Sequence, residues 1–265
     1  MSDLMHQRFA KTIVQYSLGI GKDDLVSIRT TTLAVPLVRE VYREALRVGA
    51  NVLTRLSYEG EEEILLQEAG SDQLGYLPES LIAEAKTLTR RLAISAPFNT
   101  RTGLSLAPES HAVRAQAMAK LGGIHTARSL AGELRWCSTL FPTNALAQEA
   151  GMSLTEYEAF VFGAMFLDRA DPIAAWMDFS VEQQSKVDYL DKVTTLRIVA
   201  KGTDITMQVA GRNWMNSDGK RNFPSGEVFT GPIEDTVEGI ILFTFPSIRG
   251  GQEIANAQLT FEKGK

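Results

Sequence analysis

Glu227 is a carboxylate placed where the backbone has little freedom. Pro224-Ser225-Gly226 comes directly before it, and the strand-like run that it opens ends at Gly231-Pro232. Gly226 allows a positive φ or a close backbone approach. A carboxylate held between such turns suits a metal ion, because metal ligands must be fixed in position. Glu227 is therefore a candidate metal ligand or, alternatively, a surface glutamate on a hairpin, and alone it cannot make a catalytic site, which usually needs about three protein ligands.

The three histidines do not supply the missing ligands by their spacing. His6 lies in the first predicted helix near an end that can fray, His111 begins another helix at the surface, and His125 follows Gly122-Gly123-Ile124 in a predicted turn. No two of them stand at ligand spacing and His-Glu-x-x-His does not occur, so local spacing predicts no zinc site. Gly-x-Ser-x-Gly does not occur either, so serine hydrolysis has no local signature.

Two other motifs are interpreted as structural. Gly19-Ile20-Gly21-Lys22 is similar to a phosphate loop, but it follows a helix and precedes a strand, whereas a P-loop joins a strand to a helix. We interpret it as the turn that ends a helix. Cys137 is the single cysteine and lies in a strand-like run, where we expect a buried structural thiol.

The composition is that of an ordinary soluble globular protein, with 44% hydrophobic and 22% charged residues. The net charge is −5 and no basic stripe is interleaved with aromatic residues, which argues against nucleic acid as a partner. No apolar run is long enough to span a bilayer. The first residues do not have the pattern of a signal peptide, and a single cysteine forms no disulfide framework, so we predict a cytoplasmic protein.

Helical and strand-like segments alternate through the first part of the chain. Apolar residues at helical spacing predict helices, and short apolar runs predict strands between them. The predicted helices are 4–18, 34–48, one opening at Glu61-Glu62-Glu63, 79–90 and 108–121, and the predicted strands are 25–28, 51–56, 92–95 and 135–140. This alternation favours an α/β fold with a mainly parallel sheet and flanking helices.

A helical block over 143–190 follows, with start signals at Thr143 or Asn144, at Ser153 and at Asp171-Pro172. Near residue 193 the pattern changes to a period of two, and the predicted strands there are 195–199, 204–209, 240–245 and 256–261. A chain of 265 residues is long for one hydrophobic core. We therefore predict an α/β domain over 1–191 and the β-rich beginning of a second domain over 192–265.

Two segments around Glu227 carry a long and specific pattern. They are Arg-Asn-Trp-Met-Asn-Ser-Asp-Gly at 212–219 and Asn-Phe-Pro-Ser-Gly-Glu-Val-Phe-Thr-Gly-Pro at 222–232. Together they resemble the signature of the M29 metalloaminopeptidases, the group of aminopeptidases T and S. The resemblance covers nearly the whole chain, and further matching segments are 36–40 with Gly49-Ala50, 142–153, Asp171-Pro172 with Trp176, and 202–206.

This resemblance implies a homodimeric enzyme that removes N-terminal amino acids from peptides with two divalent cations, which are zinc, cobalt or manganese. It implies that Glu227 is a metal ligand. The family's other ligands, a second glutamate, a histidine in Gly-Thr-x-His, a tyrosine and a closing His-x-Asp, lie further along than the segment that matches Phe261–Lys265. We therefore expect an N-terminal portion that lacks the C-terminal ligand segment and is inactive or nearly so alone, with no catalytic residue assigned and the substrate-binding residues unknown.

Two other functions stay open. One is a non-catalytic dimerisation or peptide-binding module of the same fold, which would need no metal. The other is a related iron-dependent, ring-cleaving dioxygenase, although the Pro-Ser-Gly-Glu match favours the peptidase.

Trp136, Phe141 and Asn144 stand where a predicted strand runs into a helix. Ligands commonly bind at the carboxyl ends of strands in open α/β sheets, so these residues could line a wall over the substrate. The alternative is that they form a packing surface between domains.

Overall fold

The computed structural model describes residues 2–102, 108–249 and 252–265. The chain divides into two compact units, one of Met1–Ala175 with Gly219–Pro224 and one of Trp176–Asp218 with Ser225–Lys265. The predicted division at residue 191 concerns folding domains and stays a prediction.

Helices and strands have the following bounds. The helices are α1 Ser2–Thr12, α2 Val35–Arg47, α3 Glu61–Glu68, α4 Ser71–Gly75, α5 Glu79–Thr87, α6 Pro108–Leu130, α7 Asn144–Glu149, α8 Leu154–Ala164 and α9 Pro172–Leu190. The strands are β1 Leu25–Thr31, β2 Asn51–Ser57, β3 Arg90–Ser95, β4 Arg135–Leu140, β5 Thr195–Ala200, β6 Thr203–Gln208, β7 Met215–Ser217, β8 Asn222–Phe223, β9 Glu227–Phe229, β10 Glu238–Phe243, β11 Ser247–Arg249, β12 Gln252–Ile254 and β13 Ala257–Phe261.

The first unit contains a parallel sheet in the order β2-β1-β3-β4-β8, which confirms the predicted α/β fold. Val26 and Ile28 of β1 are fully buried. Leu37, Val38 and Val41 of the apolar face predicted for α2 are also buried, whereas Leu46, which the prediction included, is 51% exposed. Burial of these apolar side chains is the main force that holds the helices on the sheet.

The last strand of this sheet, β8, was not predicted, because the sequence pattern assigned residues 219–224 to the β-rich tail. Phe223 is 1% exposed and its ring centroid lies 5.7 Å from that of Phe9. The Ser138 amide donates to the Arg221 carbonyl oxygen at 2.7 Å. One buried aromatic residue and strand pairing thus join this segment to the first unit.

Helix α6 is longer than predicted. The sequence predicted a helix over 108–121 and a turn at His125, but α6 continues to Leu130, so that interpretation is wrong. Gly122 and Gly123 each cost about 1 kcal/mol relative to alanine within a helix. Beyond them Arg128 donates to the carbonyl oxygens of Ala85 and Leu88, and these tertiary hydrogen bonds hold the last turns in helical form.

The predicted start signals of the helical block are confirmed. Thr143 caps α7 by accepting from the Leu146 amide at 3.3 Å. Ser153 and Glu156 form the capping box of α8. Asp171 caps α9, since its Oδ1 accepts from the amides of Ile173 and Ala174 at 3.0 and 3.1 Å.

Both motifs interpreted as structural have that role. Leu18 and Ile20 donate to the carbonyl oxygens of Ile13 and Val14, so Gly19–Lys22 follows the end of the first helical segment. Cys137 is fully buried, and burial raises the pKa of its thiol to about 12. Such a thiol is unreactive at neutral pH.

The second unit is β-rich, as predicted, and also contains most of α9. Its main sheet is antiparallel in the order β13-β10-β6-β5, and two-stranded ribbons form from β7 with β9 and from β11 with β12. A short 3₁₀ turn at Glu234–Thr236 precedes β10. Among the described residues, no helix is both long and apolar enough to cross a membrane.

His6 lies inside the first unit and not at a frayed end, which corrects the expectation from sequence. It is 8% exposed, and its ring centroid lies 5.5 Å from that of Phe141 and 6.2 Å from that of Phe162. Burial lowers the pKa of His6, against the opposing charges of Glu158, Asp3 and Glu40.

The neutral, buried His6 should make the fold sensitive to mild acid. As the pH falls below the unfolded-state pKa of 6.5, the unfolded chain binds a proton that the folded chain resists, so stability decreases. We expect His6→Phe to reduce the loss of melting temperature between about pH 7.5 and about pH 5.5. The exposed-site variant His111→Gln should show the parental loss, and an equal loss in His6→Phe would contradict this account.

Candidate functional site

Glu227 opens β9, the short strand that the sequence predicted. β9 pairs antiparallel with β7, and Glu227 stands opposite Ser217. The Gly226 amide donates to the Ser217 carbonyl oxygen at 3.1 Å, and the hydroxyls of Ser217 and Ser225 lie 2.6 Å apart. We call the pair β7 and β9 the Glu227 ribbon.

Gly226 is the residue that sets the backbone directly before Glu227. Its φ is +136°, a conformation that side chains with a Cβ rarely adopt. A Cβ at this position would lie 3.4 Å from Cε1 and 3.5 Å from Cζ of Phe179 on α9. That contact distance is an ordinary one, so glycine is needed here for the turn, through its positive φ, and not for space beside the helix.

The Glu227 ribbon is joined to α9 by one buried amide. Gln183 is 2% exposed, and its Nε2 donates to Asn216 Oδ1 at 2.7 Å. The same Nε2 lies 3.3 Å from the Ser217 carbonyl oxygen and 3.4 Å from that of Glu227. Gln183 thus contacts both strands of the ribbon and fixes the main chain at Glu227.

Asn216 and Asp218 strengthen this attachment from the other strand. Asn216 Nδ2 donates to the Ser180 carbonyl oxygen at 2.9 Å and to Gln184 Oε1 at 3.3 Å. Asp218 is 7% exposed, and its Oδ2 accepts from the Ser180 hydroxyl at 2.8 Å. The polar residues of the conspicuous Asn-Ser-Asp segment therefore support the ribbon.

Sequence reasoning missed the role of Gln183. A usable signal was present, because Gln183 lies seven positions after Trp176 and four before Val187, and all three are buried on α9. A polar residue in such a stripe has to find hydrogen-bond partners inside the protein.

The side chain of Glu227 is exposed, and within the described ranges its carboxylate forms no hydrogen bond or ion pair. Carboxylate oxygen is a suitable donor for zinc, cobalt or manganese. However, the described residues contain no group of three His, Cys, Asp or Glu side chains that could hold a metal ion. One donor fits a metal, and a complete donor set is not assembled by the described part of the chain.

The remaining candidate residues lie in the first unit. Trp136 is stacked by Arg221, whose Cζ is 5.5 Å from the ring centroid, and Phe141 packs on His6. Asn144 is the exposed first residue of α7. His111 is exposed and His125 half-buried, both on α6. Trp136 and Phe141 thus have packing partners within the first unit, and both interpretations of these residues stay predictions.

Comparison with known proteins identifies relatives along nearly the whole chain. The family described as thermophilic metalloprotease (M29) matches residues 3–265. Aminopeptidase AmpS of Bacillus subtilis is 25% identical over 283 residues, and aminopeptidase T of Thermus thermophilus is 27% identical over 284. Aminopeptidase 2 of Geobacillus stearothermophilus is 26% identical over 287 residues. Each alignment covers 97% of this chain and 68% of the relative.

A solved structure shares the fold. Wild-type AmpT from Thermus thermophilus superposes with a TM-score of 0.82 at 23% identity, and the match covers 98% of this chain and 69% of that one. At this identity the likeness shows the fold alone.

Replacing Gln183 should loosen the Glu227 ribbon. Gln183→Leu keeps the side-chain volume but removes the donor to Asn216 and to two carbonyl oxygens, and an unpaired acceptor costs about 1–3 kcal/mol. We expect a decrease of this size in the free energy of unfolding in urea, with faster amide exchange at 215–217 and 227–229.

The matched control is Gln184→Leu, an exposed neighbour on the same helix. It should change the free energy of unfolding by no more than about 0.5 kcal/mol. Equal effects of the two substitutions would show that the buried amide does not hold the ribbon.

Proposed function

The chain belongs to the M29 family of metallopeptidases, and we propose on that basis that it has the function of a metal-dependent aminopeptidase, which removes N-terminal amino acids from peptides. The observation that carries this proposal is the family match over residues 3–265, together with relatives that are named aminopeptidases. Two divalent cations, zinc, cobalt or manganese, are the proposed cofactors, and a homodimer is the proposed assembly.

We assign Glu227 the role of one metal ligand. Its carboxylate is exposed while its main chain is fixed by Gln183 and Gly226, so the oxygens can bind an ion without a large loss of backbone freedom. No residue of the described chain receives a role in bond cleavage, because a single carboxylate does not position a metal for catalysis. We therefore propose that the 265-residue chain alone has little or no peptidase activity.

Manganese provides a direct test of the ligand, since the paramagnetic ion broadens nuclear magnetic resonances close to it. We expect Mn²⁺ to broaden the amide signals of 225–229 first, and Glu227→Ala to abolish that broadening. Glu262→Ala, which removes another exposed glutamate of the second unit, should leave it unchanged. Broadening that is the same in Glu227→Ala would contradict the ligand role.

Activity is measured on the same samples with leucine anilide and added zinc, cobalt or manganese. The expected result is no metal-dependent release of the aniline above background. Turnover that depends on metal and on Glu227 would show that the chain is a self-sufficient enzyme. Ferrous-iron-dependent oxygen uptake with a ring substrate would instead support the dioxygenase.

A non-catalytic module is the second candidate, and the lack of a three-ligand group in the described residues favours it. Peptide binding that is saturable without metal and unaffected by Glu227→Ala would support this candidate over the peptidase.

A further inference from the structure

A cleft of about 970 Å³ lies in the first unit. Its volume is in the range of small-molecule sites. The walls come from the ends of β1 and β2, the residues after β3, the first turn of α3 and the side of α6. The residues that matter here are Arg29, Thr31, Arg55, Ser57, Ser95 and Arg114.

The cleft lies where open α/β sheets bind ligands. In the order β2-β1-β3-β4, the chain passes from β1 to a neighbour on one side and later from β3 to a neighbour on the other side. The crevice outside the carboxyl ends of strands at such a reversal is the usual ligand site. We call this cavity the switch-point cleft. The sequence analysis had considered a substrate-covering wall at the end of β4, at Trp136, Phe141 and Asn144, instead.

The switch-point cleft is lined by a cation, Arg29, whose charge helps to lower the pKa of Glu84 but which has no direct partner among the described residues. Arg29 of β1 is half-buried and stands between Arg55 of β2 and Ala93 of β3. Arg55 donates to Glu84 Oε2, with Nε at 2.8 Å, and Glu84 Oε1 accepts from the Ser27 hydroxyl at 3.2 Å. Within the described ranges Arg29 forms neither a hydrogen bond nor an ion pair.

Further positive charge lies on the same face of the sheet. Arg91 of β3 is half-buried opposite Ser27, and within the described residues it also has no ion pair. Burial lowers the pKa of Arg91, and the charge of Arg29 lowers it further. Burial lowers the pKa of His125 on α6, and the charges of Arg91 and Arg29 add to that effect. Glu84, the carboxylate that faces this group, is already bound to Arg55.

Packing alone does not account for these cations. Strands of a parallel sheet covered by helices usually present apolar side chains on both faces. Here one face of β1 presents Val26 and Ile28, fully buried, and the other presents Ser27 and Arg29. The charge of Arg29 disfavours the charged form of Arg91, and an anion bound to Arg29 in the cleft would offset that repulsion.

The rim of the cleft has the opposite charge. Glu61, Glu62 and Glu63 of the first turn of α3 line the same cleft as Arg29. Nη1 of Arg114 on α6 donates to the carbonyl oxygens of Leu74 and Tyr76, at 3.4 and 3.3 Å. A ligand that satisfies both sides carries an oxyanion at one end and a cationic or hydrogen-bond-donating group at the other.

We propose that the switch-point cleft binds a small molecule whose carboxylate or phosphate group is held by Arg29 and whose positively charged or donor group faces the glutamates of α3. The planar guanidinium of Arg29 can bind either oxyanion through two parallel hydrogen bonds. The acidic rim disfavours polyanions. This site needs no metal and is independent of the aminopeptidase proposal.

The test uses the full chain and four probes, which are inorganic phosphate, acetate, L-lysine and ATP. We expect saturable chemical-shift changes at the amides of 29–31, 55–57 and 94–96 with at least one of the first three probes. L-lysine binding more tightly than phosphate would identify a carboxylate ligand, and the reverse would identify a phosphate ligand. ATP binding more tightly than both would overturn the role given to the acidic rim.

Arg29→Gln should weaken binding at least about tenfold, because one charged hydrogen-bonded pair is lost. Arg29→Lys should restore part of the affinity, since it keeps the charge without the planar fork. The matched control, Arg39→Gln, removes an exposed arginine of α2 outside the cleft and should bind as the parent does.

The melting temperature of Arg29→Gln without any probe shows whether this variant stays folded, so that a loss of binding can be assigned to the missing guanidinium. No saturable change at these amides with any probe, or equal binding in Arg29→Gln, would overturn the proposal.

Discussion

The hydrogen bonds of the buried Gln183 amide are the interaction on which the proposed ligand depends. A two-stranded ribbon of three residues per strand is only marginally stable by itself in water. Nε2 of Gln183 donates to both strands of the ribbon and so attaches them to the same helix, α9. Gly226 supplies the positive φ that turns the chain into β9 beside this helix. The position of Glu227 is thus set by Gln183 and Gly226, neither of which is proposed as a metal ligand.

The two units use polar groups in different ways. In the second unit, Nε2 of the buried Gln183 and the Asp218 carboxylate find partners within the unit and order the chain. In the first unit, Arg55 and Glu84 satisfy each other, whereas Arg29 stays half-buried without an ion pair among the described residues. Unsatisfied charge in a crevice at the ends of parallel strands is a feature of a binding site more than of a core.

Much of the fold could be predicted because local signals agree with the tertiary structure. The apolar face of α2, the caps at Thr143, Ser153 and Asp171 and the strand at Glu227 all follow from spacing or from local hydrogen bonding.

The predictions fail where contacts between residues far apart in the sequence determine the local structure. Gly122 and Gly123 predict a break, but Arg128 holds α6 beyond them through the carbonyls of Ala85 and Leu88. Residues 222–223 show no periodic pattern, and the burial of Phe223 against Phe9 brings them to the first unit's sheet. At the candidate site, the sequence predicted the roles of Glu227 and Gly226. The hydrogen bonds of Gln183 to both strands are seen only in the structure.

Crystals of the chain soaked in manganese, measured at a wavelength where the ion scatters anomalously, would test the central claim most directly. The claim is that a fixed main chain presents the Glu227 carboxylate to a divalent cation. The account predicts an anomalous peak at bonding distance from Glu227, with the Gln183 hydrogen bonds intact. A peak that is absent from Glu227 while manganese occupies other carboxylates of the chain would contradict it.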